Sequence, residues 1–498
     1  MERIPTPSWL RPENDASRSK SLGWAVTGMA CLAMYIDTFQ ATMVNFGLTA
    51  IMKSLNMTPF DVNWVSIAYS LAFATILPIS GSIIDRYGLR FGFLLGTGFL
   101  TWSSALCAAT PNKYGLIVGR AFCGMGAAMS TATGPPIVTH LFSDEKKRTK
   151  GLSLLIMCGP LGMVTGMILG ALLVESSIGW RALFWLVLAM NGFLCIAGYF
   201  LIPIFPKPPH DPTKKFDKMG LGMIITGLPM LIYGIDDGGN RGWTSPEILV
   251  TIILGGLLVI GFPIYERRLE NPVLPKPFLF DRNMVLMLLN FLVFGGGFAA
   301  WLLLITQVFL NCLHLSAFRS ALYLLPAAVG SVVSGGLGNF LSQCTSVRVQ
   351  IGGAYLWTAG FLIPWGLMDV EAHRAYIIVF ALLYLFGNAP AVVRAQATTL
   401  CTIPEAQHGQ ATAMLMVAYQ TGSAILLALC NAVAKSFTKD PNLESSLMNG
   451  YQSSFWLLLG ITGTAGLAFV VLYQSVGNTD AGSETKSGTE RSEIIEKA

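Results

Sequence analysis

From residue 22 to residue 474 the chain alternates between long apolar runs and short polar breaks. A helix that crosses a bilayer needs about 20 mostly apolar residues. That ruler predicts fourteen helices, at roughly 22–50, 62–84, 91–110, 115–141, 151–174, 181–205, 219–235, 246–265, 284–311, 320–341, 350–368, 375–399, 410–434 and 451–474. Two polar breaks are longer than the rest, PKPPHDPTKKFDK from 206 and ERRLENPVLPKPFLFDRN from 266. They divide the chain into a tail (1–21), six spans (22–205), a connector with two extra spans (206–283), six further spans (284–474) and a second tail (475–498). The second tail is rich in Ser, Thr, Glu and Gly without apolar periodicity, which predicts disorder. The first apolar run follows an Arg/Lys-bearing segment and lacks a small-residue cleavage site, so it reads as a retained helix rather than a signal peptide.

Composition narrows the class. Charged residues are 12 % of 498 and AVILMFWYC 53 %, where soluble domains carry roughly 25 % charge. This is the balance of an all-α polytopic membrane protein, and it excludes soluble enzymes and nucleic-acid binders. The nine cysteines form no CxxC or Cys/His cluster, so neither a metal site nor a disulfide framework is predicted.

The placement of charge predicts sidedness. With the N-terminus on the inside, 22 of the 32 Lys and Arg fall in inside segments and 8 in outside loops, while Arg120 and Arg394 remain within spans. Basic residues accumulate on the cytoplasmic side, so both termini are expected there. The sequon Asn56-Met57-Thr58 then lies in the first outside loop, making Asn56 a candidate glycosylation site.

Two clusters carry candidate chemistry. The second and third spans are joined by GSIIDRYGLR, with Gly81, Asp85, Arg86, Gly88 and Arg90 at the membrane edge. Gly88 supplies a permissive backbone for a tight turn and Gly81 is expected to allow close approach of a neighbouring helix. Read from the residues alone, the arginines are either a topological anchor or part of an ion-paired device with Asp85. Span four reads LIVGRAFCGMGAA, placing Arg120 inside the membrane one turn before Gly124, whose GxxxA spacing with Ala128 favours close helix packing. Such an arginine either snorkels to the surface or is paired in the interior. Asp37, near the middle of span one, is its natural partner. The alternative for Asp37 is a carboxylic acid hydrogen-bonded to a neighbouring helix.

GSIIDRYGLR resembles the signature G-x-L-a-D-r-x-G-r-k/r of the major facilitator superfamily, in the same place between spans two and three. Span four resembles the same family's l-x-x-x-R-x-x-q-G-x-g-a-a, with Cys123 where glutamine is common. The resemblance implies two related six-helix bundles, a cytoplasmic latch at the Gly81–Arg90 loop and alternating access. For Arg120 it implies a part in proton coupling, with Asp37 as the protonatable partner. FQATMVNFGL in span one is similar to the l-D-x-T-I-V-N-v-A-L-P segment of fourteen-span drug:proton antiporters, but Gln40 stands at the aspartate position and Asp37 lies one turn earlier. Gly162, Gly166 and Gly170 in span five resemble part of the antiporter glycine signature and are expected to pack tightly against another helix. Trp180, Arg181 and Phe184 echo a W-R-x-x-F run, read as an interfacial anchor.

The expected function is proton-coupled export of a small, largely hydrophobic organic compound by a monomer with no cofactor besides the proton gradient, at the plasma membrane or a vacuolar membrane. Gln40, Asn45, Tyr69, Asn290, Gln307, Asn388, Tyr419 and Gln420 are the candidate substrate contacts, with interhelical glue the plainer reading of each taken singly. Import or carriage of a small inorganic or cationic solute is the alternative within the class. A membrane enzyme or non-transporting sensor is the alternative outside it, and the five scattered histidines offer no catalytic constellation.

Overall fold

The computed structural model describes residues 16–474 except 143, 206–217, 270–277, 279, 369–373, 404–407 and 441–442; some side chains within helices, that of Asp85 among them, also lie outside the described residues. The polar connector from 206 and the tail from 475 therefore fall outside them as well. Among the described residues there are fourteen helices of 20 residues or more and no strands. They are α1 (Ala16–Leu55), α2 (Trp64–Tyr87), α3 (Leu89–Ala109), α4 (Lys113–Leu141), α5 (Glu145–Val174), α6 (Arg181–Leu201), α7 (Lys218–Arg241), α8 (Pro246–Glu266), α9 (Arg282–Gln307), α10 (Ala317–Cys344), α11 (Val347–Gly366), α12 (Arg374–Thr402), α13 (His408–Phe437) and α14 (Glu444–Leu472). Twelve of them are long and apolar enough to cross a membrane; α4 and α11 fall short by that measure. In α4 the reason is its burial within the bundle, where Arg120, glycines, serines and threonines replace lipid-facing aliphatics.

Local chemistry sets the boundaries. Asn112 accepts the Gly115 backbone N–H at 2.7 Å to start α4, and Ser316 and Ser346 do the same for α10 and α11, satisfying amides that a helix start leaves without partners. Asn56 ends α1 in the left-handed region, φ 51°, with Met57 N–H bonded back to the Met52 carbonyl. That is an asparagine stopping a helix, and it leaves the Asn56 side chain exposed.

Two differences from the sequence reading matter. α1 begins at Ala16, inside the segment expected to be a tail, because ASRSK holds no helix breaker and simply extends the apolar helix. α7 runs to Arg241 rather than ending near 235, which draws Asp236 into the helix interior.

The chain forms two compact units, Met1–Leu221 and Gly222–Ala498, the second taking in α7 and α8. In the first, α1 packs on α5, α2 on α4, and α3 on both α4 and α6. In the second, α9 packs on α13, α10 on α12, and α11 on both α12 and α14. The same four pairings thus recur eight helices later. The ends repeat too. Arg90, second residue of α3, donates from Nη2 to the Tyr199 carbonyl of α6 at 2.5 Å, and Arg348, second residue of α11, donates from Nε to the Val470 carbonyl of α14 at 2.5 Å.

The glycine stripe of α5 explains the most extensive helix contact in the first unit. A Cβ on Gly162, Gly166 or Gly170 would strike Tyr35, Phe39 and Met43 respectively, three residues spaced one turn apart on α1. This contact uses one face of α1 and leaves the face bearing Asp37 and Gln40 free to meet α2. Trp180 and Arg181 cap α6 on its first turn, with the guanidinium 4.4 Å from the indole ring and bonded to the Thr110 carbonyl.

Candidate functional site

Asp37, Gln40, Tyr69 and Arg120 converge in the interior of the first unit. Asp37 and Gln40 are three residues apart on α1, and both side chains reach the hydroxyl of Tyr69 on α2. The hydroxyl donates to Asp37 Oδ1 and accepts from Gln40 Nε2 at 3.2 Å. Arg120 comes from α4. Its Nε donates to the Val65 carbonyl, one turn before Tyr69, at 3.0 Å, and its Cζ lies 4.3 Å from the centre of the Tyr69 ring.

The close approach of α2 and α4 makes this possible. Gly124 sits where a Cβ would overlap the Tyr69 carbonyl and lie 3.1 Å from the Phe73 amide. Glycine there lets the two backbones touch and carries Arg120, one turn earlier, onto the tyrosine. On the other side of α4, a Cβ on Gly126 would lie 2.9 Å from the Gly96 carbonyl of α3, so the two backbones are close there as well. The helix bearing the buried cation is thus gripped on two faces.

Electrostatics follow from burial. Arg120 is 1 % exposed, Tyr69 2 % and Asp37 8 %. A guanidinium removed from water needs a compensating partner, and here it has a ring face and a carbonyl, while Nη1 is buried with no hydrogen-bond partner among the described residues. A desolvated cation–π contact of this kind contributes roughly 2 kcal/mol. The direct Asp37–Arg120 pairing expected from sequence does not form; Tyr69 stands between the two charges, bonded to one through its hydroxyl and stacked on the other through its ring. The tyrosine therefore links the Asp37 carboxyl to the α4 guanidinium without an ion pair. Snorkelling of Arg120 to the surface is ruled out by its burial.

The aspartate position that Gln40 occupies and the position of Asp37 one turn earlier lead to the same place. Both reach one hydroxyl, so moving the carboxyl by a turn leaves it at the same junction.

Other predicted residues distribute as follows. Asn45 accepts from Ser66 Oγ at 3.0 Å, a second tie between α1 and α2. In the second unit, Gln307 accepts from Asn311, which also reaches the Tyr451 hydroxyl. Asn290 is 1 % exposed, and neither of its amide atoms has a hydrogen-bond partner among the described residues. Asn388 is buried, while Tyr419 and Gln420 are half-buried. Arg394 reaches the Thr345 carbonyl at 3.5 Å.

The α2–α3 turn departs from expectation at one glycine and meets it at another. Gly88 has φ +97°, a conformation costly for other residues. Among the described residues a Cβ at Gly81 would meet nothing within 4 Å, so the close approach expected at Gly81 is not seen there. Arg90, expected in a latch, makes its described contacts within its own bundle. Arg86 is exposed beside Tyr87.

Sequence reasoning missed three features. Tyr69 was read only as a cavity residue, when it is the junction of the cluster. Cys107 and Cys123 are both fully buried, with Cys107 packed against Gly119, the residue before Arg120. Asp236, 2 % exposed, accepts from Asn431. No group of metal-binding side chains occurs among the described residues.

The sequence pattern of the Major Facilitator Superfamily matches residues 30–427. The chain belongs to that superfamily. It is similar to the Major facilitator superfamily multidrug transporter mfsC of Aspergillus fumigatus, 32 % identical over 443 residues that cover 88 % of this chain and 85 % of the relative. It is also similar to the Multidrug resistance protein Stp of Mycobacterium tuberculosis, 25 % identical over 88 % of this chain and 80 % of the relative. Among solved structures it resembles the POT family transporter PepTSo, with a TM-score of 0.66 at 14 % identity, covering 91 % of this chain and 97 % of that one. At that identity the likeness speaks for the fold. Membership and relatives together make the chain a multi-pass membrane transport protein rather than an enzyme.

Proposed function

We propose that this transporter is a proton-coupled exporter of small, largely hydrophobic organic compounds, a drug, toxin or secondary metabolite, working by alternating access. The observation that carries the proposal is the buried Asp37–Tyr69–Arg120 cluster. A carboxyl within a membrane helix is expensive unless it serves a pathway or a relay, and this one is bonded to the hydroxyl of a tyrosine whose ring faces a buried cation. When Asp37 is ionised, Tyr69 donates to it and holds α1 on α2. When it takes a proton, the charge that orients the hydroxyl is gone and the α1–α2–α4 junction loosens. That gives proton binding a route to helix packing, which alternating access requires. The names of the relatives, multidrug transporter and multidrug resistance protein, support an organic substrate and outward transport.

In this reading the chain is a monomer with fourteen spans, in the plasma membrane or a vacuolar membrane, with both termini cytoplasmic and Asn56 available for glycosylation. The Gly81–Arg90 turn acts as the cytoplasmic gate through Asp85 and Arg86. Gln40, Asn45, Asn290, Gln307, Asn388, Tyr419 and Gln420 are the proposed substrate contacts.

The test is efflux of ethidium and rhodamine 6G from cells that express the chain, with and without a protonophore. The proposal expects lower retained dye in expressing cells and loss of that difference when the proton gradient is collapsed. Greater uptake of dye in expressing cells, or efflux indifferent to the protonophore, would overturn it.

A further inference from the structure

We propose that Asp236 is a second exchangeable proton site, carried on α7 and separate from Asp37. It lies in the second unit, five residues before the end of α7, about 7.5 Å along the helix from Arg241 at 1.5 Å per residue. Its carboxyl is 2 % exposed and its Oδ1 accepts from Asn431 Nδ2 of α13 at 2.6 Å, the asparagine itself being 2 % exposed.

Its neighbour Asp237 has charged partners of its own. Asp237, the next residue, accepts from the Tyr233 hydroxyl at 3.1 Å and from Arg241 Nε at 2.6 Å, and Arg241 Nη1 reaches Glu247 of α8 at 2.6 Å. The cation at this end of α7 thus serves Asp237 and Glu247. On α13, Lys435 follows Asn431 by one turn and is half-buried. Asp236 itself is turned inward, onto a carboxamide.

Chemistry distinguishes this pairing from ordinary helix glue. Two carboxamides would join α7 to α13 as well, without placing an acid inside the membrane, where charged groups are costly. A carboxamide N–H bonds equally well to a carboxylate oxygen or to the carbonyl oxygen of a carboxylic acid. Asn431 therefore holds the group in place through a change of protonation. The step is the simplest possible: a hydronium ion gives a proton to a carboxylate oxygen of Asp236, leaving water, and no other bond changes.

Infrared difference spectroscopy of the purified full chain in lipid, between about pH 5 and pH 9, tests this without any substrate. Protonated buried carboxyls give their own C=O stretch. The wild type is expected to show such a band whose intensity changes with pH, with a component absent from Asp236→Asn and retained in Asp37→Asn. In Asn431→Leu the component should persist but move to higher wavenumber, because its carbonyl loses a hydrogen bond. That variant keeps the carboxyl and decides the matter if Asp236→Asn does not fold. A spectrum of Asp236→Asn identical to wild type, a component that does not vary with pH, or an unmoved component in Asn431→Leu would each overturn the proposal. The Asp37→Asn spectrum scores the first site separately, so the two readings stand or fall apart.

Discussion

Replacing Tyr69 with phenylalanine isolates the hydroxyl at the centre of the cluster. The ring remains to stack on Arg120 at 4.3 Å, so the cation–π contact is kept. What is lost is the donor to Asp37 Oδ1 and the acceptor for Gln40 Nε2. A hydrogen bond to a charged group contributes about 1.5–3 kcal/mol, and a buried donor left without an acceptor costs about 1–3 kcal/mol. These two effects share one atom and are not fully additive, so a stability loss of about 3 kcal/mol is expected. It would be read as a lowered unfolding midpoint in detergent by intrinsic tryptophan fluorescence. Function should suffer differently. If the hydroxyl–carboxylate bond forms in one access state only, its removal shifts the balance between states by about 10- to 150-fold. Proton-gradient-driven dye efflux by the variant should then fall at least tenfold at equal expression. Efflux by Tyr69→Phe within twofold of wild type and with unchanged pH dependence would refute the relay, whatever the stability measurement gave.

Further predictions follow from the packing. Gly124→Ala places a methyl against the Tyr69 carbonyl and should destabilise by about 1–3 kcal/mol, as overpacking does, whereas Gly81→Ala, in open space, should change the unfolding midpoint negligibly. Arg120→Lys keeps the charge but gives up the planar stack and the fixed Nε donor; efflux should drop at least tenfold, and wild-type efflux by this variant would contradict the site geometry. Gly88→Ala must adopt φ +97°, which costs on the order of 1–3 kcal/mol, and should reduce folded yield measured by size-exclusion chromatography.

Much of this was open to reading in the sequence because lipid imposes simple rules. Apolar runs of bilayer length had to be helices, and charges left within them, Asp37 and Arg120, had to be exceptional. Gly88 followed from a connection too short for anything but a turn. What escaped was whatever depends on which face of a helix meets which neighbour. Gly81 and Gly124 both look like packing glycines, and only the three-dimensional arrangement shows that one faces open space and the other the Tyr69 backbone. Tyr69 reads from sequence as one more cavity-lining polar aromatic, because its place at the junction depends on Asp37, Gln40 and Arg120 arriving from two other helices. Asp236 was lost to the ruler itself: a hydropathy window closes at the first pair of acids, yet α7 continues for another turn and turns one of them inward. The tie of Arg348 to α14, which copies that of Arg90 to α6, was hidden because the second half lacks the surrounding signature.

The account rests on Asp37 as the residue through which the proton gradient acts, and one comparison addresses it directly. Wild type and Asp37→Asn are reconstituted in liposomes, and ethidium transport is measured under an imposed pH gradient and, separately, as exchange of labelled for unlabelled ethidium without a gradient. The account predicts that Asp37→Asn loses gradient-driven accumulation while retaining exchange. Accumulation at the wild-type rate in that variant would contradict it.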